Sequence, residues 1–137
     1  FEPSPSIEAD VDVGLLQQAL TNLVANGIQA MPKGGHLRVR LFRRRITPPP
    51  ELGGTEAEFA SFEVCDEGVG IPADAMSRIF EPFFTTKGVG EGTGLGLSVA
   101  YGIARDHGGW IAVTTEEGRG SCFSLFVPIE PPPVVSA

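Results

Sequence analysis

The sequence predicts an α+β fold, with helices packed on one face of a mixed, mostly antiparallel sheet. Three observations predict it. The chain has 137 residues and is 42% hydrophobic, which suits one globular domain with its own core. Segments with alternating or helical apolar spacing follow one another in the order β-α-β-β-α-α-β-β. The last two strands flank the sequence EEGRG, so they are expected to form a hairpin.

The first long helix is predicted from Val13 to Met31, where apolar side chains recur at helical spacing. Asp10 or Asp12 can cap its start, because a carboxylate accepts hydrogen bonds from the free N–H groups of a first helical turn. The sequence PKGG after Met31 ends the helix. A short strand at Ser6–Ala9 is predicted before it.

The remaining elements follow the same two periodicities. Four further strands are predicted at His36–Ile46, Glu58–Cys65, Trp110–Thr115 and Ser121–Pro128. Two further helices, one short and one long, are predicted at Ala73–Ile79 and Gly94–His107. Residues 47–56 are rich in proline and glycine and are expected to form a loop. Residues 1–128 are therefore expected to form the domain, and residues 129–137 a tail without fixed structure.

The net charge, the hydropathy and the cysteine content limit the classes of function that the chain can have. The formal net charge of −7 argues against non-specific binding to nucleic acid, but backbone N–H groups can still bind a phosphorylated ligand. No apolar segment approaches the roughly 20 residues that span a bilayer, and no signal peptide is visible, so membrane contact is not expected. Cys65 and Cys122 lie in apolar strand-like segments and are expected to be buried thiols in a reducing cytosol, not a disulfide or a metal site.

Asn22, Asn26 and Gln29 form the first of four stretches that can carry chemistry. Their spacings i, i+4 and i+7 place three amides on one stripe of the first predicted helix. Amide oxygens can ligate Mg²⁺, which usually keeps several waters and also binds phosphate oxygens. The alternative is a polar helix flank without a ligand.

The second stretch, Asp66–Pro72 (DEGVGIP), follows the end of a predicted strand. The Asp66 carboxylate can accept a hydrogen bond from an exocyclic amine. Gly68 and Gly70 allow a sharp turn of the backbone and the close approach of a flat ring. The alternative is an ordinary Asp-Gly turn.

The third stretch, Glu81–Lys87 (EPFFTTK), places a lysine directly before a glycine-rich segment. Lys87 can reach a phosphate as a mobile point charge. The alternatives are a solvated loop lysine and two ordinary core residues at Phe83 and Phe84.

The fourth stretch, Gly92–Leu97 (GTGLGL), lies at the predicted start of the long helix. Thr93 is a natural N-cap, and the free N–H groups of residues 94–96 form an anion site together with the helix dipole. The spacing differs from the phosphate loop GxxxxGK[ST] and from the dinucleotide fingerprint GxGxxG. The glycines that precede this helix allow the segment to move as a lid.

In this order and spacing, the four stretches resemble the N, G1, F and G2 boxes of the catalytic ATP-binding domain of bacterial sensor histidine kinases. The sequence IFEPFFTTK followed by GTGLGL and HGG is the most specific part. The resemblance extends roughly from Ile7 to Pro128 and places the chain in the superfamily of gyrase, MutL and the heat-shock chaperone ATPases. It implies a Bergerat-type two-layer α/β sandwich with three helices on one face of the sheet.

The resemblance also implies a site for ATP and Mg²⁺. Asn26 would ligate Mg²⁺, and Asn22 and Lys87 would complete the catalytic set near the phosphates. Asp66 would read the adenine amino group. The further nucleotide-binding residues that the resemblance implies are Gln29, Gly68, Gly70, Ile71, Phe83, Thr93, Gly94, Leu95, Gly96, Leu97 and Ser121.

The function implied by the resemblance is transfer of the γ-phosphoryl group of ATP to a histidine on a separate dimerisation domain. The implied partners are that domain and the receiver domain of a response regulator, in the cytoplasm, whether the parent kinase is membrane-anchored or soluble. His36 and His107 lack the His-Glu or His-Asp helix context of a phosphoacceptor. The alternatives are an ATP-hydrolysing relative, a serine kinase of the anti-sigma type and a degenerate nucleotide-sensing or scaffold module.

Overall fold

The computed structural model describes residues 9–82, 84 and 95–129, and this part of the chain contains a four-stranded sheet and two α-helices. In chain order, the elements are α1 (Val13–Gln29), β1 (Arg38–Ile46), a 3₁₀ turn (Pro50–Leu52), β2 (Ala57–Asp66), α2 (Gly96–Asp106), β3 (Trp110–Glu116) and β4 (Gly120–Pro128).

The sheet has the strand order β1-β2-β4-β3, and every described pairing is antiparallel. The predicted hairpin is confirmed, because β3 and β4 pair from Trp110 opposite Phe126 to Glu116 opposite Gly120. A parallel strand, which a mixed sheet requires, is not found among the described residues. Of the strand predicted at Ser6–Ala9, only Ala9 is described, and it lies outside any strand.

Helix α1 starts where its capping residue predicts. The Asp12 carboxylate accepts a hydrogen bond from Leu15 N at 3.0 Å, which satisfies a free N–H of the first turn. The helix ends at Gln29, two residues before the predicted end. Beyond it the backbone turns more tightly, and Met31 N donates to Ile28 O at 3.0 Å.

The main core lies between the two helices and one face of the sheet. The alternation of β2 and β4 sends Val64, Phe123, Leu125 and Val127 toward the helices, and each of them is at most 1% exposed. Leu23 and Ala19 of α1 meet them with no exposed surface. Burying side chains of this kind contributes roughly 1.5–3 kcal/mol each.

A second apolar cluster lies on the opposite face of the sheet. Phe59, Trp110 and Phe126 are buried there, and their rings pack at centroid distances of 4.9 Å for Phe59–Trp110 and 4.6 Å for Trp110–Phe126. Leu52 of the 3₁₀ turn packs against this cluster. The proline-rich loop therefore covers part of the face that the helices leave open.

The prediction of three helices on one face is not confirmed, because the described residues contain only two α-helices. Residues 73–80 form successive turns in which bonds run from residue i+3 to residue i, such as Ala75 N to Pro72 O and Arg78 N to Ala75 O. An α-helix needs i+4 bonds, so the prediction of a short helix at Ala73–Ile79 is wrong. Helix α2 begins at Gly96, not at Gly94, and Leu95 precedes it without a side-chain cap.

The expectation of two separate buried thiols is wrong. The structure joins Cys65 and Cys122 in a disulfide, with their Cα atoms 4.1 Å apart. The two residues stand directly opposite each other on β2 and β4, and opposed antiparallel residues come this close only at particular rungs of the ladder. Their spacing in the sequence, 57 residues, carries no information about that register.

Two glycines near the end of α2 should respond in opposite ways to substitution by alanine. Gly102 lies exposed inside α2 with no atom near the position of an added Cβ, so Gly102→Ala should stabilise the protein by about 1 kcal/mol through helix propensity. An added Cβ at Gly109 would lie 1.6 Å from Phe126 O, so Gly109→Ala should destabilise it by about 1–3 kcal/mol or more. Urea unfolding measures both. Equal midpoints for the two variants would contradict this packing.

Candidate functional site

The first and fourth stretches meet where α1 passes the start of α2. Asn22 Nδ2 donates a hydrogen bond to Gly96 O at 3.1 Å, across 74 residues of sequence. An added Cβ on Gly96 would lie 3.9 Å from the Asn22 side chain, which shows how closely the two elements approach. The first N–H groups of an α-helix have no acceptor within the helix, so this junction presents backbone donors beside a side-chain amide.

Asn26 lies one helical turn beyond Asn22 and is half-buried. Its backbone oxygen accepts a hydrogen bond from Ala30 N, but its side-chain amide has no hydrogen-bond partner within the described part of the chain. A half-buried amide that has no partner among the described residues leaves its oxygen open to a ligand. Gln29, the last residue of α1, is exposed.

The second stretch reaches the same helix from the sheet. Asp66 is the last residue of β2 and is 7% exposed, and its Oδ1 accepts a hydrogen bond from Gly68 N at 2.9 Å. An added Cβ at Gly27 would lie 3.6 Å from Asp66 Cβ, so the carboxylate stands against α1 directly after Asn26. The buried Ser121 of β4 lies opposite Asp66 in the ladder.

Gly68 and Gly70 let the loop after β2 pack closely against the end of α1 and the end of β3. An added Cβ at Gly68 would lie 2.3 Å from Ala30 O, and one at Gly70 would lie 2.4 Å from Glu116 O. Gly70 also has a φ of +76°, which side chains disfavour. The structure thus shows a packing reason for both glycines, and their contact with a flat ring stays a prediction.

Thr115 belongs to the site although no motif pointed to it. Its Oγ1 accepts a hydrogen bond from Ile71 N at 2.9 Å, lies 2.8 Å from Ser121 Oγ and reaches Gly120 O at 3.2 Å. It therefore ties the loop after β2 to the hairpin of β3 and β4. The available signal was the alternation of β3, which places a threonine in line with the apolar Ile111 and Val113.

Glu67 joins this loop to the entry of β1. One of its carboxylate oxygens accepts hydrogen bonds from His36 N at 2.7 Å and from His36 Nδ1 at 3.0 Å. The backbone bond, followed by the side-chain bond, lowers the pKa of Glu67 from its ordinary value. Because its pKa is lower in the folded protein, the Glu67 carboxylate stabilises the fold at pH values above its pKa in the unfolded chain. This stabilisation is lost as the pH falls through the pKa of Glu67 in the folded protein.

Several predicted site residues lie outside the described residues. They are Phe83, Lys87, Thr93 and Gly94. Of the remaining ones, Leu95, Gly96 and Leu97 lie at the start of α2, and Ile71 lies in the loop held by Thr115. The structure therefore places Asn22 against the start of α2, and it places Asp66 opposite Ser121 and against α1 at Gly27, the residue after Asn26.

Comparison with known proteins agrees with this arrangement. Residues 11–131 match the family of histidine kinase-, DNA gyrase B- and HSP90-like ATPases, and the chain belongs to that family. It is 46% identical to the sensor kinase CckA of Brucella abortus (strain 2308) over 120 residues, which are 85% of this chain and 13% of CckA. It is 42% identical over 125 residues to the sensor histidine kinase ZraS of Escherichia coli (strain K12), covering 91% of this chain and 23% of ZraS.

Solved structures show the same likeness. Full-length ShkA in complex with AMPPNP superposes with a TM-score of 0.67 and 33% identity, over 93% of this chain and 24% of ShkA. The chain thus corresponds to the ATPase catalytic domain of sensor histidine kinases and spans less than a quarter of the CckA, ZraS and ShkA chains. None of the described helices is long and apolar enough to cross a membrane.

Replacing Thr115 should loosen the site. Thr115→Val keeps the side-chain shape but leaves Ile71 N without an acceptor, so we expect a loss of about 1–3 kcal/mol in unfolding free energy. Thr114→Val is the matched control, because Thr114 is exposed on the other face of the same strand. Urea unfolding of both variants measures the difference. Equal unfolding free energies would show that the Thr115 hydroxyl does not hold the loop.

Proposed function

We propose that this chain binds Mg²⁺·ATP and transfers the γ-phosphoryl group to a histidine on a separate dimerisation domain, in cytoplasmic two-component signalling. The observation that carries the proposal is the hydrogen bond from Asn22 to Gly96. It joins a helix that bears two amides to the N-terminus of a second helix, and the Asp66 carboxylate that ends β2 lies against the first helix at Gly27. Polar groups of these kinds suit a phosphate chain, a divalent cation and an exocyclic amine.

The adenine end of the site is assigned to Asp66 and Ser121. They lie opposite each other on β2 and β4 and line one shallow hollow together with Thr115. A buried carboxylate that accepts a hydrogen bond from an amino group distinguishes adenine from guanine, which has an oxygen at the corresponding ring position. The complex of full-length ShkA with AMPPNP supports the proposal that a domain of this kind works with a nucleotide.

The phosphate end is assigned to Asn22, Asn26 and the first turn of α2. The half-buried Asn26 amide, which has no side-chain partner within the described ranges, fits a hard cation that takes oxygen ligands. Mg²⁺, when bound, would neutralise charge on the phosphates. The backbone donors of Gly96 and Leu97 would hold phosphate oxygens, and Lys87, Thr93 and Gly94 are proposed to add contacts there.

The chemical step is proposed as an in-line displacement. An imidazole nitrogen of the partner forms a bond to the γ-phosphorus while the bond to the bridging oxygen breaks, and ADP leaves. Such transfer depends on positioning and on stabilising charge, and not on covalent chemistry by this domain. The receiver domain of a response regulator is the proposed next acceptor.

The acceptor histidine is proposed to lie outside this chain. The ring of His107 is engaged at both nitrogens, because Nε2 accepts from Asp12 N at 2.9 Å and Nδ1 lies 2.9 Å from Ile103 O. His36 is bound to Glu67 at the entry of β1. The relatives extend well beyond the matched segment, so they have room for further domains.

The proposal is tested by phosphoryl transfer. With γ-labelled ATP, the chain alone should stay unlabelled, and label should reach a histidine when a sensor-kinase dimerisation domain is supplied. Asp66→Asn should weaken ATP binding by about 10–100-fold in calorimetry, because a charge-assisted hydrogen bond is lost. Asp74→Asn, at an exposed aspartate, is the control. Stable label on His36 or His107, or unchanged affinity in Asp66→Asn, would overturn the assignment.

The side chain at position 22 distinguishes a phosphoryl-transferring kinase from an enzyme that hydrolyses ATP. Hydrolysis needs a group that takes a proton from the attacking water, and the amide of Asn22, unlike a carboxylate, cannot do so. We therefore expect negligible steady-state ATP hydrolysis. Asn22→Glu should raise it, by up to about 10²–10⁴-fold if the carboxylate acts as a general base. Gln18→Glu, one turn earlier on the exposed side of α1, is the control. Rapid hydrolysis by the unmodified chain would favour the hydrolase.

A further inference from the structure

The disulfide between Cys65 and Cys122 lies one residue from the proposed adenine-binding pair. Cys65 directly precedes Asp66, and Cys122 directly follows Ser121, so the two pairs are adjacent rungs of the β2–β4 ladder. Asp66 and Ser121 point toward the helices, and the cysteines point to the other face. Cys122 also lines the same hollow as Asp66 and Ser121.

The backbones at this end of the ladder are closely packed. An added Cβ at Gly120 would lie 2.0 Å from Asp66 O. The backbones of β2 and β4 are therefore in contact directly beside the proposed adenine-binding residues. A covalent bond between neighbouring residues restricts how far the two strands can separate. Two free thiols need more room than a bonded pair, because non-bonded sulfur atoms stay farther apart than bonded ones. Breaking the bond is therefore expected to change the spacing of Asp66 and Ser121.

We infer that Cys65 and Cys122 form a redox modification site that sets the nucleotide affinity of the domain, through exchange with a low-molecular-weight thiol–disulfide couple. The inference rests on the proposed function, because an ATP-dependent domain of the cytoplasm works where thiols are kept reduced. Disulfides in that compartment are usually transient and catalytic or redox-sensing. A pair placed beside the proposed adenine pocket suits a sensing role.

The exchange is a two-electron reaction that starts at the more accessible sulfur. Cys65 is 7% exposed, whereas Cys122 is only half-buried and faces the exposed Thr114 on β3. A thiolate such as that of glutathione attacks Cys122 Sγ, the bond between the two cysteines breaks, and Cys65 leaves as a thiolate and takes up a proton. A second glutathione thiolate attacks the mixed disulfide, releases glutathione disulfide and leaves a second protein thiol. Oxidation follows the reverse path.

The oxidised form is expected to bind ATP more tightly, because the bond holds Asp66 opposite Ser121. The experiment measures ATP binding by calorimetry in buffers with different ratios of reduced to oxidised glutathione. Alkylation with a maleimide, followed by mass spectrometry, counts the free thiols in each sample. The dissociation constant should rise by about fivefold on reduction, which is the lower end of typical coupling between two sites.

A double variant, Cys65→Ser with Cys122→Ser, supplies the matched control. It cannot form the bond, so its affinity should equal that of the reduced protein and should not respond to the glutathione ratio. The wild-type protein in reducing buffer tests the same state if the variant does not fold. Equal affinity of the reduced and oxidised proteins, or two free thiols at every ratio, would overturn this inference alone. Absence of ATP binding in both states would overturn the proposed function, and this inference with it.

Discussion

The pairing of β2 with β4 is the constraint on which the rest of the structure depends. The two strands form the centre of the sheet, and their alternation sends Val64, Phe123 and Leu125 into the core. The same register places Asp66 opposite Ser121 and Cys65 opposite Cys122. A shift of one residue would exchange the faces of every side chain on a strand, so the core and the site cannot be specified separately.

The junction of α1 with α2 is the second constraint, and it depends on the first. Both helices lie on the same face of the sheet, and their contact is the most extensive that either makes with another element. Ala19 of α1 and Ala100 of α2 are both fully buried in the core that the two helices share. Because the helices are in place, a mid-helix amide, Asn22, can reach the backbone oxygen of Gly96. The polar site is thus a consequence of apolar packing.

Most of the regular elements of the fold could be predicted from the sequence, because helices and strands depend on local periodicity. The alternation of β2 and β4 and the helical spacing of α1 set those elements to within about two residues, and the capping role of Asp12 follows from its side chain. The disulfide and the role of Thr115 depend on register, which no local pattern contains. The segment 73–80 has the composition of a helix, but its hydrogen bonds are those of successive turns.

The candidate site also shows why binding groups sit on regular elements. Asn22 and Asn26 lie inside a helix, and Asp66, Thr115 and Ser121 lie on strands, so hydrogen bonds of the fold already fix the backbone at each of them. The entropy of ordering these groups is therefore lost when the chain folds and not when a ligand binds. The loop after β2 does not share that support, and it is held by Thr115, by Glu67 and by glycines packed against neighbouring backbone. The position of this loop consequently depends on the hairpin of β3 and β4, to which it is also hydrogen-bonded. A change that loosens the hairpin is therefore expected to displace the loop that follows Asp66.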